Sequence, residues 1–92
     1  MKTKVLNSIN NFVNILFTMF KVPQGEFAKK EFPKIVDNFW NDNASDAENL
    51  KAVKDAFQLE KEMQDMSNNR PVAMLIESFQ SGWLNKIAYG NE

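Results

Sequence analysis

VLNSINNFVNILFTMF, residues 5–20, passes sixteen positions without a charge, bounded by Lys4 and Lys21. Its reading decides the fold. A membrane span needs about 20 mostly apolar residues, and here amide and hydroxyl side chains interrupt the run at regular intervals. A secretory leader needs a continuous apolar stretch and a small-residue cleavage site. The longest apolar run is Ile15-Leu16-Phe17, and no Ala-x-Ala site follows. A helix fits better. At about 100° per residue, Asn7, Asn10, Asn11, Asn14 and Thr18 share one side. Val5, Leu6, Ile9, Phe12, Val13, Leu16, Phe17, Met19 and Phe20 take the other. The apolar arc is roughly 200° wide, about twice what a surface helix on one core requires. Such a helix either touches neighbours on two sides or gives part of its arc to another chain.

Outward from this segment, Val22-Pro23-Gln24-Gly25 reads as a turn, with proline setting φ and glycine supplying a conformation other residues avoid. EFAKKEFPKIVDNFW (26–40) follows. Pro33 donates no amide and disfavours helical backbone at Phe32. The expectation is a short helix over 26–32 and another over 33–41, or one kinked helix, with Phe32, Ile35, Val36, Phe39 and Trp40 on one face. After the polar loop Asn41–Ala44, Ser45-Asp46-Ala47-Glu48 matches the S-x-x-E capping box, which opens a helix running to about Ser67. That helix carries two apolar stripes: Leu50, Val53 and Phe57, and, well rotated from it, Ala52, Ala56, Leu59, Met63 and Met66. Asn68-Asn69-Arg70-Pro71 ends it, because asparagine tolerates a left-handed cap and proline suits the first turn of the next helix. In the last helix Val72, Leu75, Ile76, Phe79, Trp83 and Ile87 form a stripe. Gly82 beside it marks a close helix crossing or a bend, and Gly90 a terminal cap. The fold expected is all-α: a compact bundle of four to five helices in one domain, 1–92.

Composition narrows function by subtraction. Ninety-two residues, 43% of them hydrophobic and 25% charged, suit one small globular domain with little stability to spare. Net charge is −1, too balanced to draw in nucleic acid or an anionic membrane. With no cysteine there is neither disulfide nor thiolate chemistry, and with no histidine the commonest general base and metal ligand are missing. Carboxylate pairs such as Glu26 with Glu31, or Asp37 with Asp42, lack the spacing to share a helix face. The serines sit in no nucleophile motif and the three glycines build no phosphate loop. No enzyme, cofactor or metal is expected.

Asp65-x-Ser67-x-Asn69 puts oxygen side chains at the first, third and fifth positions of an EF-hand loop, but Arg70 replaces the glycine and Ile76 the bidentate glutamate. Two short helices, a capped helix and a final amphipathic helix in a chain of this length resemble the S100 family in outline, and QGEFAKKEF (24–32) is similar to its linker. The resemblance implies a calcium-independent EF-hand-like binding module as one alternative. A small helical DNA-binding regulator is another, but Lys29, Lys30 and Lys34 form the only basic cluster, interleaved with acids, and the helix after Arg70 is nearly uncharged.

What remains is apolar helical surface: eight phenylalanines and two tryptophans in a short chain. The function expected is a small, soluble, cytoplasmic, non-enzymatic protein–protein interaction module, an adaptor, inhibitor or antagonist. That size and chemistry would suit a phage-encoded or bacterial regulator. The interface is expected on Leu6, Val13 and Phe17 of the first helix with Trp40, meeting a protein partner and forming a homodimer, since closed symmetric dimers are the default oligomer. Neither nucleic acid nor membrane is expected as a partner.

Overall fold

The helical period of the opening stretch is realised as α1 (Lys2–Ile15), continued by a π-helical turn, Leu16–Phe20, in a computed structural model that describes residues 1–20 and 24–89. α2 is Gly25–Phe39, α3 is Asp46–Met66 and α4 is Arg70–Phe79. A second π-turn, Gln80–Leu84, carries α4 on into a final turn, α5, Asn85–Tyr89. No strand occurs among the described residues, and no helix among them is long and apolar enough to cross a membrane. The chain is an all-α bundle. Its radius of gyration is 12.7 Å, against about 12 Å for a compact domain of this length.

α1 divides as its wheel dictates. Val5, Ile9, Phe12, Val13 and Leu16 are buried, while Asn7, Asn10, Asn11 and Asn14 face solvent. The wide apolar arc is met from two sides, by α2 and by the π-turn that follows α4. The helix therefore spends most of this arc inside its own bundle. Lys2 anchors its start through an ion pair to Asp37 of α2 at 3.0 Å.

Of the two forms expected around Pro33, α2 takes the single helix, with the proline inside and no break into two. Ala28, Phe32 and Val36 explain this. They recur every four residues and all are fully buried, so a break between them would rotate one half of the stripe off the core. Burial of this order, about 1.5–3 kcal/mol for each large side chain, offsets the roughly 3 kcal/mol that an interior proline costs. Tertiary packing overrides the local preference. At its start, Gln24 is the N-cap and Gly25 the first helical residue. The other residues of the expected turn, Val22 and Pro23, lie outside the described residues, as does Gly90.

α3 begins where the capping box predicts. The Ser45 hydroxyl accepts the Glu48 amide at 3.1 Å, and a Glu48 carboxylate oxygen accepts the Ser45 amide at 3.1 Å. It ends in a Schellman cap. Asn68 has φ 62°, its amide donates to the Asp65 carbonyl at 3.1 Å, and the Asn69 amide donates to the Gln64 carbonyl at 2.8 Å. Pro71 then sits in the first turn of α4. Lys61 and Glu77 tie the α3–α4 hairpin with a 2.9 Å ion pair.

The aromatic residues converge. Phe12 of α1, Phe32 of α2, Phe57 of α3 and Phe79 of α4 meet at centroid distances of 5.0 to 6.3 Å. Phe32, Phe57 and Phe79 are fully enclosed. One phenylalanine from each long helix thus builds the centre, in tilted and edge-on arrangements with Phe12 and Phe32 near-parallel at 6.3 Å and 7°.

The two π-turns shift the phase of the apolar stripes. The i→i+5 step brings Leu84, five residues after Phe79, to full burial, while Trp83 is only partly buried against the core. Gly82 lies within this turn and a Cβ there would meet nothing within 4 Å. It marks no close crossing. In each π-turn a hydroxyl bonds back to the carbonyl four residues earlier, Thr18 to Asn14 at 2.7 Å and Ser81 to Glu77 at 2.9 Å, a contact that bends helices.

Candidate partner-binding surface

Two apolar stripes on α3 have different fates. Leu50, Val53 and Phe57 point into the core. The second stripe has Ala52 partly buried and Ala56 buried, and then leaves the protein interior. Leu59, Met63 and Met66, spaced i, i+4 and i+7, lie on one helix face. They are 56%, 52% and 84% exposed. Their neighbours are acidic: Glu62 and Asp65 are both exposed, and with Met66 they line a depression of about 390 Å³. Glu62 and Glu60 hold side-chain amides, from Gln58 at 3.0 Å and Gln64 at 2.6 Å.

Of the four residues expected at an interface, one is buried and three are partly buried. Val13 is 6% exposed and belongs to the core, so it has almost no surface left for another chain. Leu6, Phe17 and Trp40 pack partly buried against the same core. Phe17 lies against the start of α2. A Cβ built on Gly25 would come within 3.0 Å of its Cε1 atom. Gly25 has no positive φ, so its lack of a side chain serves close approach and not the special backbone conformation expected of it.

No family model, no curated protein and no solved structure matches this chain. The surface must therefore be read on its own chemistry.

No group of three histidine, cysteine or acidic side chains could hold a metal ion among the described residues. The EF-hand-like run Asp65–Asn69 is the C-terminal cap of α3, where the Asp65 carbonyl already accepts Asn68 and the Asn69 side-chain amide donates to Gln64 at 2.9 Å. On α2, Lys29, Lys30 and Lys34 are exposed, and Lys34 lies 3.8 Å from Glu31.

Asn49 escaped the sequence reading. It is the one polar side chain buried among the described residues, 3% exposed. Its Oδ1 accepts the Asn41 amide at 2.8 Å and its Nδ2 donates to the Asn41 carbonyl at 2.9 Å. It pins the α2–α3 loop to the first turn of α3. The signal was available: Asn49 falls on the same side of the helical wheel as Val53 and Ala56, where a polar residue needs a partner.

Glu48 carries the clearest electrostatic perturbation. Its carboxyl is held below the usual range, first by the Ser45 backbone amide and then by the Ser45 hydroxyl. This is capping chemistry at a helix start, where the dipole also favours negative charge.

Proposed function

We propose that this chain is a small non-enzymatic interaction module of the cytoplasm, which binds another protein through apolar helical surface as an adaptor, inhibitor or antagonist. The observation that carries the reading is the Leu59, Met63 and Met66 row, three large apolar side chains each more than half exposed on one face of a well-capped helix. Water contact with such a row is unfavourable, and a partner's apolar face would remove it at about 25 cal/mol per Å². Methionine suits the task, since its unbranched, polarisable side chain adapts to varied partners. We put the interaction on α3 and not on α1 because Val13 is spent on the core and Phe17 on Gly25. The part-exposed surfaces of Leu6, Phe17 and Trp40 keep a lesser place in the proposal, as a contact between two copies of the chain.

Affinity capture from the native host tests the main claim, with the double variant Leu59→Ser, Met63→Ser as control bait. A protein retained by the wild type, lost from the variant and rebinding in purified form by calorimetry supports it. Capture that the variant retains in full, or no capture at all, removes it. Light scattering of the purified protein, compared with Phe17→Glu, reads out self-association.

A further inference from the structure

Resting on the interaction-module reading, we propose that the α3 row docks a basic amphipathic helix, one with apolar anchors on one side and lysine or arginine flanking them. Anchors at i, i+3/i+4 and i+7 are how an amphipathic helix seats on an apolar strip, and Leu59, Met63 and Met66 present that spacing in complement. The charge around the strip selects the partner. Glu60, Glu62 and Asp65 stand on this half of α3, and its single lysine there, Lys61, is already engaged by Glu77 across the hairpin at 2.9 Å. Among the described residues no lysine or arginine pairs with Glu62 or Asp65. The depression between Glu62, Asp65 and Met66 offers a long cationic side chain both an apolar wall for its stem and carboxylates for its head.

The same charges disfavour a second copy as the occupant. A two-fold contact sets a patch against itself, which would bring Glu62 and Asp65 of one copy against those of the other. Like charges at an interface are a penalty, and opposite charges a source of specificity and speed.

The probes are two fluorescent helical peptides of about 20 residues, with the same leucine anchors and either lysine or glutamate on the polar face. Anisotropy is read against the full chain. The expected result is that the lysine-faced peptide binds and the glutamate-faced one does not. Affinity should fall steeply between about 50 mM and 500 mM salt. Leu59→Ser with Met63→Ser should weaken binding at least about ten-fold. Glu62→Gln with Asp65→Asn should weaken it several-fold and flatten the salt dependence, while Asp42→Asn in the distant α2–α3 loop should leave it unchanged. All of these side chains are exposed, and circular dichroism confirms that each variant is folded.

Equal binding of both peptides, lost in the Leu59/Met63 variant, would overturn the charge selection and leave the interaction module standing. Binding that the row variant does not touch would overturn the site. A dimer broken by the row variant, with neither peptide bound, would make the occupant a second copy. If neither peptide binds and the protein is monomeric, the inference falls. The interaction module falls with it only if affinity capture also fails.

Discussion

The ring of Phe32 meets the ring of Phe57 edge to face, centroids 5.0 Å apart at 83°, both fully enclosed. Through this contact α2 is keyed to α3, and Phe32 also touches Phe12 and Phe79, so one side chain links all four long helices. Phe32→Ala should cost about 3–5 kcal/mol. Domains of this size have about 5–15 kcal/mol in all, so the variant should unfold at far lower urea than wild type, or not fold. A double-mutant cycle on Phe32→Leu and Phe57→Leu should show a coupling of about 0.5–1.5 kcal/mol. Additive effects in urea melts would contradict the keyed centre.

Asn49→Ala should destabilise by about 1 kcal/mol, because the part-buried Asn41 amide loses its acceptor and the Asn41 carbonyl its donor. Hydrogen exchange should rise most at Asn41 and in the loop that follows. Loss spread evenly over the bundle, with this loop still protected, would refute the assigned role.

Ser45→Ala should cost about 1 kcal/mol, and pH should reveal how the cap works. The Glu48 carboxyl has a lowered pKa in the folded state. Its stabilising contribution is therefore present above its unfolded pKa and is lost as pH falls through the lower folded value. Melts from pH 7 down to about pH 3 should show the stability gap between wild type and Glu48→Gln narrowing on acidification. A gap constant across that range would contradict the carboxylate's part in the cap.

Gly25→Ala and Gly82→Ala should move stability in opposite directions. At Gly25 the new methyl meets the Phe17 ring at 3.0 Å, whereas at Gly82 it meets nothing. Overpacking costs about 1–3 kcal/mol, and relief of glycine's backbone entropy returns about 0.5–1 kcal/mol in a helix. The first variant should lose stability and the second gain it. With Phe17→Ala in the background, Gly25→Ala should turn stabilising, which denaturant melts of the four combinations would show.

Leu59→Ser, Met63→Ser and Met66→Ser should each stay within about 0.5 kcal/mol of wild type, as exposed substitutions do. Val13→Ser, in the core, should lose several times that. Equal losses at α1 and α3 would mean that the α3 row is covered by the chain itself.

Much of this was legible in the sequence because it depends on neighbours in the chain. The helical period of residues 5–20, the Ser45–Glu48 box and the Asn68–Pro71 break each involve groups within a few residues of one another. The box and the break appear in the fold with their hydrogen bonds, and the exposure pattern holds from Val5 to Leu16, although Met19, on the side expected to be apolar and covered, is 72% exposed. Even the two α3 stripes were visible as faces of a wheel.

A wheel shows which residues share a face, but not which face a neighbour will cover. Only the packing of α2 and the final helix around α1 placed Val13 inside, and only the end of that packing along α3 left Leu59, Met63 and Met66 in solvent. Pro33 remained helical for the same reason. The burial of Ala28, Phe32 and Val36 against other helices is a sum over distant contacts, and it outweighs a local penalty that the sequence states plainly. Local chemistry determined where the helices begin and end, and long-range burial decided which of their surfaces remain available to bind.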